Sequence, residues 1–394
     1  MRKLSSLSFT AVLSLFIISC TKTGVGDSSS SPSTSIGVAG PGSSGPGSGG
    51  GGGTAGVITA GEWNDLVHWD FWNNLMANDT FNVFPTTWGF YLQNKVTVIL
   101  KDVSGKLIHD AKISLNSNGQ TASAKTSNDG KAELFASLYQ PGFTPGNYTL
   151  SAEYLGQTFN LGSYPPTQTL VTKNISVSKS ASNTLDIMFV VDATGSMGDE
   201  ISYLKTELKD VINRAGSQLP GKQIRMGSVF YRDIGDDYLT RVFNFSTNTD
   251  QLNAFVNDQN AGGGGDFPEA VDEALKVSIQ DQQWSTAAVN RLLFLILDAP
   301  PHNTPAVMDK LKTAVTDAQK KGIRIIPVSA SGINLETEFL LRFLSISTNS
   351  TYVFITDHSG IGNPHHNPTV GDYDVEYLNN LMVRLITKYG QNVD

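Results

Sequence analysis

The sequence predicts a multidomain chain. It ends in an α/β doubly wound open sheet, which is preceded by a small antiparallel β-sandwich and a disordered Gly/Ser tether. Three observations carry this reading. From about residue 181, apolar runs alternate with helical periodicities, the pattern of a parallel sheet covered on both faces. Between 91 and 180, short stretches alternate apolar and polar residues, with turn signals between them. Residues 21–56 are almost wholly Gly, Ser, Pro and Thr, with too little apolar surface to build a core.

The 394 residues carry a net charge of −8 and a single cysteine. No basic stripe or Lys/Arg-rich run is present, which argues against nucleic acid as a partner. Residues 1–20 read as a secretory signal. Arg2 and Lys3 form the basic start, the apolar run through Leu13–Ile18 follows, and the segment is too short to be a stable span. It ends Ile17-Ile18-Ser19-Cys20, which resembles the bacterial lipobox. Cys20 has no possible internal partner, so lipidation after cleavage accounts for an otherwise odd cysteine. Thr21 is not the acid that retains lipoproteins at the inner membrane, so the resemblance implies the outer membrane or cell surface. The tether that follows, at 21–56, has a root-mean-square reach on the order of 30–35 Å.

Residues 57–90 hold Trp63, Trp69, Trp72 and Trp88. Thr59 and Glu62 stand three apart, as in a capping box, which predicts a helix from Ala60. The tryptophans suit packing against the following domains better than stacking on sugars. In 91–180, strands are expected at Lys95–Val103, Ala111–Leu115, Gly130–Phe135 and Tyr148–Tyr154, separated by turns such as Asn118-Gly119 and Asn128-Asp129-Gly130. The runs Lys101-Asp102-x-Ser104-Gly105-Lys106, Asp110-Ala-Lys-Ile-Ser-Leu115 and Thr126-Ser-Asn-Asp-Gly-Lys-Ala132 resemble the carboxypeptidase regulatory-like (transthyretin-like) β-sandwich. That resemblance implies a spacer or partner surface without catalytic residues. Asn128 and Asp129 fit a turn better than a Ca²⁺ site.

In 181–394, Leu185–Val191 is an apolar run of the kind expected for a buried parallel strand. It ends in Asp192-Ala-Thr194-Gly-Ser196, a set of hard oxygen donors suited to a Mg²⁺-type ion. Ile201, Leu204, Leu208, Val211 and Ile212 then recur at helical spacing. Strands are expected at Ile224–Tyr231, at Thr240–Phe245 on an antiparallel edge, at Arg291–Leu297, at Ile323–Val328 and at Tyr352–Ile355. Helices are expected over Asp266–Ile279, with Pro268 in the first turn, and over Val375–Ile386. Gly262–Gly265 lacks the Gly-Lys-Ser/Thr ending of a phosphate loop, so no nucleotide is expected.

Asp-x-Thr-x-Ser after a strand, the glycine loop before Asp266, and Asp298 at the end of a second apolar strand occur in order. Together they resemble the von Willebrand factor type A (VWA) domain and its metal-ion-dependent adhesion site (MIDAS). The resemblance implies direct ligation by Thr194 and Ser196, and ligation by Asp192 and Asp298 directly or through water. Asp266 stands where the family usually has threonine. Three carboxylates around one divalent ion leave a net charge near −1, so the ion is held firmly and an external carboxylate is attracted less. Mg²⁺ or Ca²⁺ is expected, with Mn²⁺ also compatible with an oxygen-only site.

Asp233, in Tyr231-Arg232-Asp233, either supports the ligands from behind or braces its loop together with Arg232. His302 either reaches a ligated water or shapes the stiff Asp298-Ala-Pro-Pro loop. His365 and His366 are expected on a surface loop. The resulting expectation is a membrane-anchored protein with a metal-dependent protein-binding or adhesion module and an unidentified protein ligand, extracellular or otherwise. It has no nucleophile elbow or cysteine nucleophile and is read as no enzyme. A metal-stabilised structural or assembly role in the envelope, and a metal-dependent hydrolase, are the alternatives.

Overall fold

The computed structural model describes residues 54–393. Residues 1–20, read above as a signal peptide ending in Cys20, and residues 21–53 of the stretch read as a tether lie outside them. Among the described residues the chain runs β1 (Thr59–Trp63), α1 (Trp69–Met76), α2 (Phe84–Trp88), β2 (Gln93–Lys101), β3 (Lys112–Ser117), β4 (Gln120–Lys125), β5 (Lys131–Ser137), β6 (Tyr148–Tyr154), β7 (Gln157–Tyr164) and β8 (Leu170–Asn174). It continues β9 (Thr184–Asp192), α3 (Ile201–Gln218), β10 (Gln223–Tyr231), β11 (Thr240–Ser246), α4 (Thr249–Asn257), α5 (Val271–Lys276), β12 (Asn290–Leu297) and α6 (Pro305–Lys321). Then come β13 (Ile323–Ser329), α7 (Leu335–Ser347), β14 (Tyr352–Ile355), β15 (Val375–Tyr377) and α8 (Leu378–Gly390). No helix here is long and apolar enough to cross a membrane.

The main sheet has eight strands in the order β11-β10-β9-β12-β13-β14-β1-β15. Strands β10, β9, β12, β13 and β14 are parallel, and β11 pairs antiparallel with β10 at the edge. Every residue of β9 after Thr184 is buried, as is every residue of β12, which explains their unbroken apolar runs. Helices α3, α4 and α8 cover one face, and α5, α6 and α7 the other. From β9 the chain passes to β10 on one side and later to β12 on the other. The carboxyl ends of β9 and β12 therefore flank a topological switch point, where open α/β sheets place ligands.

The tryptophan segment departs from its expected form. Thr59–Trp63 is a strand, paired antiparallel with β14 (Ala60 opposite Ile355) and with β15 (Ala60 opposite Glu376). The capping pattern at Thr59 and Glu62 gives way to long-range pairing. Gly61 fits there because a Cβ would lie 2.6 Å from the Phe354 ring. Residues 57–90 are thus part of the main sheet's unit rather than a separate lead-in. Trp72 and Trp88 are buried in the same core, Trp72 stacks on Phe339 and Phe90 on Phe343, so this segment seals α7.

Two further departures are local. The helix expected from Asp266 begins at Val271, because the Glu269 N–H donates to Pro300 O (2.9 Å) and holds residues 266–270 in an irregular path. Residues 375–377 form β15, and α8 starts only at Leu378.

Residues 93–174 form a three-stranded sheet (β5-β2-β8) and a four-stranded sheet (β4-β3-β6-β7) around a shared apolar core. This two-sheet region docks on the amino edge of the main sheet. Asp110 accepts two hydrogen bonds from Arg291 (2.7 and 3.1 Å) and one from Lys125 (2.8 Å). Asn128, read as a turn residue, is buried and donates to Lys388 O (2.7 Å) and Gln391 O (2.9 Å), gripping the end of α8.

Candidate metal centre

The centre is built where β9 and β12 end. Asp192 closes β9 and is fully buried. The Thr194 N–H and hydroxyl both donate to Asp192 Oδ1 (2.8 and 2.7 Å), and Thr194 Oγ1 lies 3.1 Å from Ser196 Oγ. This turn leads into a 3-10 segment, Gly195–Asp199, and brings the Asp192 carboxylate and the Thr194 and Ser196 hydroxyls together. Asp298 follows β12 directly and is 4% exposed.

The glycine loop is stitched onto the Asp192 turn. The Gly262 N–H donates to Ala193 O (3.0 Å) and the Gly195 N–H to Gly263 O (3.1 Å). Gly263 (φ +75°) and Gly264 (φ +72°) take left-handed conformations that side chains disfavour, and a Cβ on Gly263 would overlap the Asp236 carboxylate. Arg232 donates to Ala193 O (3.1 Å) and Asn260 O (2.9 Å), so its guanidinium braces both loops through their carbonyls.

A cleft of about 500 Å³ results, lined by Ser196, Asp266, Phe267, Glu269 and Asp298 among others. Asp192 Oδ2, Asp298 Oδ1 and Glu269 Oε2 are buried without a hydrogen-bond partner, as is Oε2 of Glu200, whose charge acts on Asp298. Such orphaned atoms are costly in a folded interior and call for a ligand. Burial pushes the Asp192 carboxyl up, and the Asp233 charge adds to the effect. Burial and then the Asp192 charge push Asp298 up. Glu269 is pushed up to about 9, first by burial and then by the charges of Asp192, Asp233 and Asp298. This donor set of carboxylates and hydroxyls fits a hard divalent cation.

The structure sorts the expected residues into two groups. Asp192, Thr194, Ser196 and Asp298 meet at the switch point. Asp266 is exposed on the wall of the cleft, and its carboxylate lies with Asp233 and His302, the three ligand atoms being within 4.8 Å of one another. These three side chains could hold a metal ion. His302 Nε2 lies 3.0 Å from Asp233 Oδ1.

Sequence reasoning did not single out Glu269. It is 3% exposed, and its Oε1 and the Thr194 Cβ both lie within 3.4 Å of where a Gly264 Cβ would stand. The available signal was its place directly before the buried Ala270-Val271 and Ala274-Leu275 pairs.

His365 and His366 are not on an open surface loop. The His365 side chain is 3% exposed, with Nδ1 2.8 Å from Asp357 and Nε2 3.1 Å from Glu200, and these acids hold its pKa up against burial. His366 Nε2 lies 2.9 Å from Glu338.

Residues 186–364 match the family of the von Willebrand factor type A domain, so the chain contains a domain of this type. Among curated proteins, it is 22% identical over 215 residues to the alpha-protein kinase vwkA of Dictyostelium discoideum, covering 54% of this chain and 34% of the kinase. It is 30% identical over 125 residues to an ariadne-like RING finger protein, R811, of Acanthamoeba polyphaga mimivirus, covering 32% of this chain and 12% of that protein. The chain thus spans about a third and about an eighth of these relatives. Among solved structures, a conserved hypothetical protein, BatB, from Bacteroides thetaiotaomicron is 16% identical, with 52% of this chain and 86% of that one covered. Its TM-score is 0.29, too slight a likeness to carry an argument.

Proposed function

We propose that the protein is a lipid-anchored component of a bacterial envelope whose VWA domain binds a divalent cation and uses it to engage a protein partner. The observation that carries this reading is the convergence of three buried, partly unpaired carboxylates with the Thr194 and Ser196 hydroxyls at the switch point. Asp192, Ser196, Thr194 and Asp298 would hold the ion, with Glu269 supplying the middle-loop oxygen from inside and Asp266 standing outside it. The ion supplies Lewis acidity and an open position for a partner's oxygen. Three carboxylates leave the occupied inner site near −1, so a neutral oxygen, such as an amide carbonyl or hydroxyl, suits that position better than a free carboxylate.

The two-sheet region is read as the carboxypeptidase regulatory-like sandwich. Its hydrogen bonds to β12 and α8 make it a rigid support for the metal-binding end. Cys20 is read as the lipidated residue and residues 21–56 as the tether, at the outer membrane or cell surface.

Calorimetric titration of Mg²⁺, Ca²⁺ and Mn²⁺ into chelator-treated protein tests the ion. Binding is expected in the parent and its loss in Asp192→Asn. Cross-linking on intact cells tests the partner, and products insensitive both to chelator and to Asp192→Asn would sink the adhesion reading. Fractionation of cells carrying Cys20→Ser tests the anchor, with release from the membrane expected.

A further inference from the structure

Among the described residues, two of the three buried arginines are matched by acids. Arg342 lies against Asp65 (2.6 Å) and Glu338 (2.9 Å), and Arg291 against Asp110 (2.7 Å). Arg324, near the amino end of β13, is 4% exposed, and no described carboxylate is within ion-pair distance of it. Its Nε donates to Asn290 Oδ1 (2.9 Å) and its Nη1 to the Asn349 carbonyl, both neutral acceptors. Neither N–H group of Nη2 has a protein acceptor among the described residues. A buried charge without its counter-ion is destabilising. Burial accordingly holds this guanidinium's pKa below its usual value, although Asp129 and Glu133 act against the effect.

This guanidinium borders a cavity. A cleft of about 440 Å³ opens where the two-sheet region meets the amino edge of the main sheet, lined by Arg324, Tyr389, Lys131 and Lys388 among others. The Tyr389 ring centroid lies 5.6 Å from Arg324 Cζ, and Leu66 and the exposed Val67 add an apolar wall. Lys131 and Lys388 are half exposed and loosely held, 3.9 Å from Asp129 and 3.8 Å from Glu62. Of the acids in the lining, Glu133 already accepts the Thr97 hydroxyl (2.6 Å) and Asp129 the Lys131 N–H (3.1 Å). Three cations, Arg324, Lys131 and Lys388, against the two acids Asp129 and Glu133 leave the lining at +1. The metal centre stands at the opposite, carboxyl edge of the sheet, so the two sites are separate.

We propose that this cleft binds a small organic carboxylate with an apolar body, its carboxylate on Arg324 Nη2 and its body against Tyr389, Leu66 and Val67. The carboxylate supplies the counter-ion that the chain itself does not, through charge-assisted hydrogen bonds. A monoanion brings the lining to neutrality. A phosphate dianion would overshoot it and meet Asp129 and Glu133. Small-molecule sites are typically clefts of about 300–1,000 Å³ with apolar walls and a few polar anchors, and this one has that form.

The test uses the purified full chain, freed of divalent ions by chelator treatment and dialysis so that no bound metal attracts the probe. Benzoate is titrated by ligand-observed NMR and by thermal melting, beside benzyl alcohol and inorganic phosphate. Expected are saturable benzoate binding and a raised melting midpoint in the parent. Benzyl alcohol, which forgoes the charge-assisted hydrogen bond, should bind about tenfold more weakly, and phosphate more weakly than benzoate. Arg324→Met should lose benzoate binding. Should that variant fold poorly, Val67→Glu, at an exposed wall position, sets a like charge beside the probe and should weaken benzoate several-fold in a chain that melts as the parent does. No benzoate binding in the parent would overturn the proposal. Binding unchanged in Arg324→Met and Val67→Glu would place benzoate elsewhere and overturn it too. Benzyl alcohol binding as tightly as benzoate would show that the guanidinium charge plays no part, and tighter phosphate binding would overturn the carboxylate assignment.

Discussion

At the amino edge of the main sheet, Asp186 lies fully buried against Arg225 (2.9 and 2.8 Å), and the partly buried Asp110 lies against Arg291 and Lys125. At the carboxyl edge of the same sheet, Asp192, Asp298 and Glu269 are equally buried, yet each keeps an unpartnered oxygen, and the charges that act on them most are those of other acids. Both edges carry desolvated acids, and only one neutralises them within the chain. A buried acid with its own guanidinium fixes packing and orientation. A buried acid facing like charges is destabilising until a proton or a cation arrives. The contrast separates acids paired within the chain from acids left to a proton or a cation more sharply than burial or residue type alone.

The largest effect should come from breaking a paired group. Arg342 is fully buried, donates to both Asp65 oxygens (2.9 and 2.6 Å) and reaches Glu338 (2.9 Å). Arg342→Met strands two buried acids and should cost about 3–5 kcal/mol in urea unfolding. A cost under about 1 kcal/mol would show that this triad is not what fixes residues 57–90 to α7.

At the carboxyl edge the sign should reverse. In chelator at pH 8, Asp298→Asn removes one of several repelling charges and should raise stability by about 1–2 kcal/mol, one pKa unit being worth about 1.4 kcal/mol. Addition of a cation at about 100 Kd should then stabilise the parent by about 2.7 kcal/mol and the variant far less. Destabilisation of the apo protein by Asp298→Asn would mean that this acid is structurally paired after all.

Proton linkage gives a third, smaller contrast. Burial, with help from Lys179, holds the His109 imidazole down at about 4, below its usual 6.5. Between those values the unfolded chain binds a proton that the folded chain does not, so stability is full above pH 6.5 and is lost as pH falls toward 4. The total is of order 3 kcal/mol for a shift of this size, and about half of it should be gone near pH 5. Glu269, pushed to about 9, acts in the opposite sense in the apo protein: folding takes up its proton, and stability falls as pH rises from about 4.5 toward 9. Urea midpoints in chelator at pH 5, 6.5 and 8 should flatten on the acid side in His109→Phe and on the alkaline side in Glu269→Gln.

The two edges also differ in how legible they were. Asp192, Thr194 and Ser196 could be read because an apolar run stops there and hydroxyls follow, and Asp298 because it ends the second such run. Those are local signals. Glu269 was hidden because its distinction from Asp266, three residues earlier, depends on the irregular path held by the Pro300 carbonyl, a contact more than thirty positions away. The paired charges were less legible still, since Asp65 and Arg342 meet across 277 positions. β1 was read as a helix for the same reason: its partners lie near the other end of the chain. β7 escaped notice because only one of its side chains is fully buried and its pattern shows no alternation, and α7 because it is buried on all sides and shows no polar face.

The smallest effect should come from charges that neither edge buries. Lys112 and Glu153 lie 3.7 Å apart on neighbouring strands, with 40% and 59% of their side chains exposed. Water screens both partners, and holding two long side chains together costs rotamer entropy, so Glu153→Gln should shift stability by less than about 0.5 kcal/mol. The shift should shrink further in salt at about 1 M, where the screening length falls to about 3 Å. Arg342→Met should keep most of its cost under the same salt, because ions do not reach a fully buried triad. If salt reduced both variants' effects equally, desolvation would not be what distinguishes the two kinds of charge, and the division between paired and unpaired edges would need another basis.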